Sequence, residues 1–344
     1  MTTDQHDLLE QRPFPRLAAT GAAHAAASVV GLGCWQLGAD WGAVSEDDAL
    51  SVLAAAADAG VTFFDTADVY GDGRSEQLIG RFLAGRRSAA TEIMVATKVG
   101  RRADPFVAET YTADNLRSWI DRSRRNLGVD TLDLVQLHCP PTPVFSDDAV
   151  FDVLAALVDE GVIAGYGVSV ETCAEALTAI ARPGVASVQI ILNAFRLKPL
   201  DEVLPAAVAA GVGIIARVPL ASGLLSGKYT ADTSFAADDH RNYNRAGAAF
   251  DVGETFSGVD YGEGLKAVAA FQELVPDGVS TAQAALAWIA AQEGVSTVIP
   301  GARNVEQARA NAEAASVSGI DATFDVGVHE IYDRYFRESI HPRW

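Results

Sequence analysis

Apolar residues at Leu50, Leu53, Ala54 and Ala57 recur at the spacing of one helical face. The pattern predicts an amphipathic helix opening near Ser45, whose hydroxyl can cap it, with Glu46, Asp47 and Asp48 placed favourably in the first turn. That helix ends at Gly60, and Val61 starts a strand running through Phe63-Phe64 to Asp65. The junction recurs at Gly128-Val129, Gly161-Val162, Gly211-Val212 and Gly294-Val295. Glycine supplies the left-handed residue that stops a helix, and β-branched valine begins the next strand. The strands themselves are near-continuous apolar runs: Ile93–Thr97, Leu132–Leu137, Ile163–Val168, Val188–Leu192, Ile214–Ala216 and Thr297–Ile299. Strands apolar on both faces and alternating with helices are parallel strands covered by helices. Counted from Val29-Val30-Gly31-Leu32-Gly33, eight such units predict a (β/α)8 TIM barrel, an α/β fold built as one domain over residues 1–344.

Three segments fall outside the repeat. Residues 1–28 are alanine-rich and read as an irregular N-terminal extension. Residues 230–261 interrupt the alternation after the seventh strand, on the side of a barrel where active sites lie, so this insertion is expected to act as a lid. Val326 to Phe336 reads as an extra C-terminal helix. A doubly wound sheet is the competing fold, but Gly31-Leu32-Gly33 leads into Trp35 and Gln36 without a helix start, so the dinucleotide fingerprint fails.

Composition narrows the function. The formal net charge of −19 argues against a nucleic-acid partner, because phosphate contacts need a basic face. No apolar run reaches the ~18–20 residues of a membrane span. The acidic start of the chain lacks the features of a secretory or transit peptide, so a cytoplasmic location is expected. Cys34, Cys139 and Cys173 are far apart, the histidines are scattered, and neither a disulfide framework nor a metal site is expected. A monomer is expected over a homo-oligomer, since no apolar interface patch can be read.

The informative polar residues stand at strand exits. The second strand ends in Asp65 with Tyr70 in its loop, the third in Lys98, the fourth in His138 and the fifth in Ser169; the sixth carries Gln189, with Asn193 just after it. A single strand-end aspartate is usually a cap, and a single lysine there usually a surface residue. Four consecutive strands delivering Asp/Tyr, Lys, His and Ser to one rim need a common reason. The set suits proton transfer to a carbonyl: a nearby ammonium is expected to lower the tyrosine pKa, a carboxylate to orient that ammonium, and a neutral imidazole to hold the carbonyl oxygen. No serine or cysteine nucleophile with a paired base is evident, and the paired carboxylates of a glycoside hydrolase are lacking.

These residues resemble the aldo-keto reductases. Phe64-Asp65-Thr66-Ala67-Asp68-Val69-Tyr70-Gly71 with Ser75-Glu76 is similar to that family's catalytic signature, and Lys98 and His138 match the rest of its tetrad. The likeness continues through Gly165–Ser169, Gln189, Pro219–Tyr229 and Pro300–Asn304, covering about Val29 to Ala315. It implies NADPH-dependent reduction of an aldehyde or ketone, with Tyr70 donating the proton, Asp65 and Lys98 tuning it, and His138 orienting the carbonyl. It further implies an NADP(H) site: Ser169 and Gln189, with Asn193, at the carboxamide; Arg217 on the nicotinamide; Pro219, Leu220, Ser222, Gly223, Leu224 and Lys228 beneath the pyrophosphate; and Cys34, Trp35 and Val218 as further cofactor contacts. Gly301 and Arg303 would meet the 2′-phosphate, Gln307 and Asn311 the adenine, and Arg241 would close over the cofactor from the insertion. Gly301 is expected to let backbone approach a phosphate and Arg303 to fork onto it, beside a helix starting near Asn304. Trp35, Trp41 and Cys139 are expected in the substrate pocket.

Two residues depart from the family pattern. Val170 stands where many members have asparagine. Arg217 stands where many stack an aromatic ring on the nicotinamide, and it is expected to favour NADPH over the cationic NADP+. Two alternatives remain: an NAD(P)+-dependent sugar or alcohol dehydrogenase running the reverse reaction, and a non-catalytic NADPH-binding regulatory subunit.

Overall fold

The computed structural model describes residues 9–38, 44–86, 93–237 and 239–344. All five Gly-Val junctions turn as the pattern requires, with φ of +92° at Gly60, +69° at Gly128, +72° at Gly161, +69° at Gly211 and +91° at Gly294. The barrel strands are β1 (Leu32–Gly33), β2 (Phe63–Asp65), β3 (Met94–Val99), β4 (Leu134–His138), β5 (Tyr166–Ser169), β6 (Val185–Ile191), β7 (Gly213–Arg217) and β8 (Val295–Val298), and the five junctions precede β2, β4, β5, β7 and β8. Each pairs in parallel with the next. The last returns to the first through parallel bridges Val30↔Val298 and Gly33↔Gly301, which closes the sheet. The (β/α)8 barrel is therefore formed.

Helices α1 (Glu46–Asp58), α2 (Arg74–Gly85), α3 (Ala113–Leu127), α4 (Asp148–Asp159), α5 (Cys173–Ile180) and α6 (Val203–Ala210) follow the first six strands. The seventh strand leads instead to the insertion, then α7 (Tyr261–Gln272) and α8 (Thr281–Ala290), while α9 (Val305–Glu313) follows β8. Ser45 caps α1 as expected, its hydroxyl accepting from the Asp48 N–H. The extra C-terminal helix α10 spans Ala322–Tyr335, starting earlier than expected because Asp321 accepts from the N–H groups of Thr323 and Phe324. The insertion is built of short helical turns, His240–Tyr243, Val252–Glu254 and Phe256–Gly258.

Strand periodicity sorts the interior into layers. Phe63 and Asp65 share a face, as do Met94, Ala96 and Lys98, and Leu134, Gln136 and His138. The apolar members of these rows pack with Ile215 and Ile299 in one cluster, leaving the polar members toward the strands' C-terminal ends. The same cluster contains Phe14 and Leu17, which corrects the expectation of an irregular extension. Gln11–Pro13 and Ala26–Ser28 form an antiparallel hairpin around a helical turn, Pro15–Ala19. The Phe14 ring stacks on Phe63 at 6.0 Å. Gly213 is glycine because a Cβ there would fall 2.2 Å from Phe14. Residues 9–28 thus plug the N-terminal end of the barrel. Two arginines fasten the plug: Arg12 donates to Ala290 O at the end of α8, and Arg16 to Ala210 O at the end of α6. Both satisfy carbonyls that a helix terminus leaves unpaired.

Candidate active site

Four strands assemble the centre. Lys98 lies within β3, not after it, and its ammonium reaches Asp65 Oδ1 at 2.5 Å, Thr66 O at 2.9 Å and the Tyr70 hydroxyl at 3.2 Å. Only 1% of Lys98 is exposed, so these three acceptors are its whole solvation shell among the described residues. Burial opposes its charge, but Asp65 and Tyr70 outweigh that and hold its pKa above the ordinary lysine value. The other Asp65 oxygen accepts from Gln189 Nε2 at 2.7 Å and from Gln136 Nε2 at 3.2 Å. Gln189, expected at the cofactor carboxamide, braces the carboxylate from the opposite wall through its Nε2.

Tyr70 corrects a second expectation. Lys98 does pull its pKa down, yet burial pushes harder and Asp65 adds to it, so the phenol is raised to about 12. The group is kept as an acid. The His138 ring meets Tyr70 edge-on at 5.9 Å. Its pKa is driven well below the usual histidine range by burial, then by Arg101, Lys98 and Arg217. His138 is therefore neutral, and its Nδ1 has no hydrogen-bond partner among the described residues. Trp35 stacks on Tyr70 at 5.9 Å and lies against His240 and Phe250 of the insertion, forming an aromatic wall. Trp41 lies outside the described residues.

A second cluster is charged. Arg217 ends β7 and donates to Glu254 in the insertion, to Glu171 Oε2 at 3.2 Å and to Val170 O at 2.9 Å. Cys139 Sγ lies 3.8 Å from the same guanidinium and 2.9 Å from Ser169 Oγ. The ligand atoms of Cys139, Glu171 and Glu254 lie within 4.8 Å of one another, as metal ligands would, but Arg217 supplies the positive charge at their centre. Two carboxylates on one guanidinium also remove the basis for expecting Arg217 to discriminate by charge between reduced and oxidised nicotinamide.

The remaining predicted cofactor positions divide into engaged and available groups. Cys34 is fully buried with its thiol turned to Leu32 O. Asn193 is committed to Val218 O and Ser257 Oγ. Ser222 donates to Glu254 O and accepts from Phe256 N–H, so the insertion is seated on the Val218–Lys228 loop. Pro219, Leu220, Gly223 and Leu224 belong to that loop, where Val218 (φ +53°), Ala221 (+46°) and Ser222 (+54°) are left-handed. Non-glycine residues tolerate that region only when neighbours enforce it. Arg241 pairs with Asp239 and donates to Tyr229 Oη at 2.5 Å within the insertion. A Cβ at Gly301 would fall 2.0 Å from Gln36 Nε2, so that glycine leaves room for the Gln36 side chain. Gln307 accepts from the Arg303 N–H, and Asn311 donates to Gly301 O. Arg303 and Lys228 are exposed, and neither side chain has a partner among the described residues.

The sequence profile of the aldo/keto reductase family matches residues 29–324. The chain belongs to the aldo/keto reductase family. It is 33% identical over 298 residues to an uncharacterized oxidoreductase of Mycobacterium tuberculosis, covering 84% of this chain and 85% of that one. It is 30% identical over 304 residues to the aldo-keto reductase yakc of Schizosaccharomyces pombe, whose name carries the designation NADP(+), covering 86% and 85%. Among solved structures, the glycerol dehydrogenase AKR11B4 of Gluconobacter oxydans superposes with a TM-score of 0.75 at 27% identity, over 94% of this chain and 97% of that one.

Within this aldo/keto reductase barrel, four groups at the mouth escaped the sequence reading. Gln136 was findable, since it is two residues before His138 on a strand and so shares its face. Glu171 and Arg101 follow strand exits by two residues, where the chain direction is set by a turn and not by periodicity. Glu254 comes from the insertion, and no local pattern ties it to Arg217.

Proposed function

We propose that this mouth reduces an aldehyde or ketone to the alcohol, with Tyr70 as the proton donor. The observation that carries the reading is the Lys98 ammonium bridging the Asp65 carboxylate and the Tyr70 hydroxyl beside a neutral His138. A phenol with its pKa near 12 stays protonated at neutral pH, and the adjacent ammonium stabilises the phenolate left after transfer. His138, neutral and set edge-on to the Tyr70 ring, can orient the substrate oxygen toward Tyr70. A protonated phenol favours the reductive direction over the reverse oxidation.

The residues fit a phosphorylated nicotinamide cofactor. Arg303 stands at the start of α9 with an unengaged guanidinium, where helix dipole and fork together suit a phosphate dianion. NADPH, when bound, would supply the hydride. The designation NADP(+) in the name of the Schizosaccharomyces relative supports this choice.

The test is steady-state oxidation of NADPH and NADH with a panel of aldehydes, for wild type and Arg303→Ala. Turnover with NADPH is expected, and Arg303→Ala should raise its KM about tenfold or more while leaving that for NADH unchanged, since a charge-assisted hydrogen bond contributes about 1.5–3 kcal/mol. Binding of NADPH without turnover of any carbonyl would sink the reading in favour of a non-catalytic role.

A further inference from the structure

We propose that Trp344 is a positioning residue for the mouth of the barrel: seated on Arg196, its indole holds the insertion where Glu254 meets Arg217. Its effect on catalysis rests on the reading of the mouth as a carbonyl-reducing site; its hold on the insertion does not.

Two sets of contacts fix the insertion between Asp251 and Gly258. One comes from the barrel mouth: Glu254 pairs with Arg217, Ser222 bonds to Glu254 O and to the Phe256 N–H, and Asn193 donates to Ser257 Oγ at 2.7 Å. The other comes from Arg343 and Trp344. The Trp344 Nε1 donates to Asp251 Oδ1 at 3.1 Å, and the same oxygen accepts from the Gly253 N–H at 2.7 Å. Arg343 donates to Gly258 O at 3.4 Å. A Cβ at Gly253 would fall 3.1 Å from Trp344 Cε2, and one at Gly258, where φ is +75°, would fall 2.4 Å from Trp344 Cη2. The insertion backbone therefore lies directly on the indole at two points, and Glu254 is in the stretch between them.

Arg196 joins the indole to the charged cluster. Its guanidinium is buried, stands 4.2 Å from the Trp344 ring centroid, and donates to Glu171 O at 2.7 Å, while Glu171 Oε2 accepts from Arg217 at 3.2 Å. A desolvated guanidinium over an indole is among the stronger cation–π pairs. The stretch also needs holding. Phe256 (φ +53°) and Ser257 (φ +59°) are left-handed, a conformation non-glycine residues keep only when their surroundings enforce it. Without Trp344, Asp251 loses its indole donor and Gly258 its packing partner. The two strained residues are then free to relax, and Glu254 moves off Arg217 with them.

The experiment is limited trypsin digestion of the full chain, with fragments identified by mass. Residues 230–261 hold two trypsin sites, Arg241 and Arg245. Trp344→Ala should be cut there about tenfold faster than wild type or more, with cutting elsewhere unchanged, because cutting follows the population of the open segment. Asp251→Leu should also be cut faster, and Asp251→Asn, which keeps an acceptor oxygen for the indole, at the wild-type rate. In parallel, the aldehyde KM of Trp344→Ala should rise about fivefold or more, since His240 and Phe250 of the insertion pack on Trp35 beside Tyr70. The single-turnover rate at saturating NADPH and aldehyde should stay within about threefold, because Asp65, Tyr70, Lys98 and His138 are untouched. Wild-type cutting of the insertion in Trp344→Ala, a rise shared by sites throughout the barrel, equal cutting of the two Asp251 variants, or an unchanged KM would overturn the inference. If Trp344→Ala does not fold, Trp344→Phe, which loses the N–H and keeps a ring for Arg196, decides by the same digestion. If the insertion loosens as expected but the wild type reduces no carbonyl, the reductase reading fails and the hold of Trp344 on the insertion stands.

Discussion

A buried lysine keeps its charge only when its surroundings replace water, and Lys98 has a carboxylate, a carbonyl and a phenol oxygen within 3.2 Å. Removing one partner of such a pair is costly because it strands the other charge. Asp65, Lys98 and Tyr70 therefore act as one unit. Asp68, in the same loop, has no such support. It is fully buried, and neither carboxylate oxygen has a hydrogen-bond partner among the described residues. Burial, reinforced by Glu76 and only partly offset by Arg102 and Arg122, raises its pKa to about 7. A carboxyl whose folded pKa lies above its unfolded value favours the fold at low pH, and that contribution is lost as pH rises through 7. Asp68→Asn should therefore stabilise the protein above pH 7, by on the order of 2 kcal/mol, with the gain fading as pH falls toward ~4. Urea denaturation at pH 5 and pH 8 checks this, and a gain that is the same at both values would contradict it.

At the scale of elements, the plug is what the sequence concealed. The barrel was legible because its Gly-Val junctions and apolar runs repeat, and Asp65, Lys98 and His138 were legible because each closes such a run. Tyr70 needed its motif. The hairpin of residues 9–28 lacked any signal: its strands are three residues each, and Phe14 and Leu17 are two apolar side chains in a run of alanines. Their role depends on glycines far along the chain, such as Gly165 and Gly213, that leave them room. The contacts of Ser222 and Asn193 with the insertion were hidden for a similar reason, since no local pattern encodes the placement of that segment. Phe14→Ala removes a ring with no exposed surface and should cost about 3–5 kcal/mol of stability, while leaving kcat at 25 °C nearly unchanged. A denaturation midpoint like that of wild type would mean the plug does not hold the barrel.

At the scale of the molecule, the two ends of the barrel divide the work. The N-terminal end is sealed by an apolar plug pinned to helix carbonyls, and the C-terminal end gathers the titratable groups. The mouth carries an aromatic cluster of Trp35, His240 and Phe250 and a charged cluster of Arg217, Glu171 and Glu254, and the insertion contributes to both. In the proposed reaction Tyr70 gives a carbonyl its proton as hydride arrives. The direct measurement is a single turnover in which Tyr70→Phe, preloaded with NADPH, is mixed with an aldehyde while cofactor absorbance is followed. NADPH affinity within about twofold of wild type and a rate lower by about 10²–10⁴ is the predicted result. Hydride transfer at the wild-type rate would rule out Tyr70 as the proton donor.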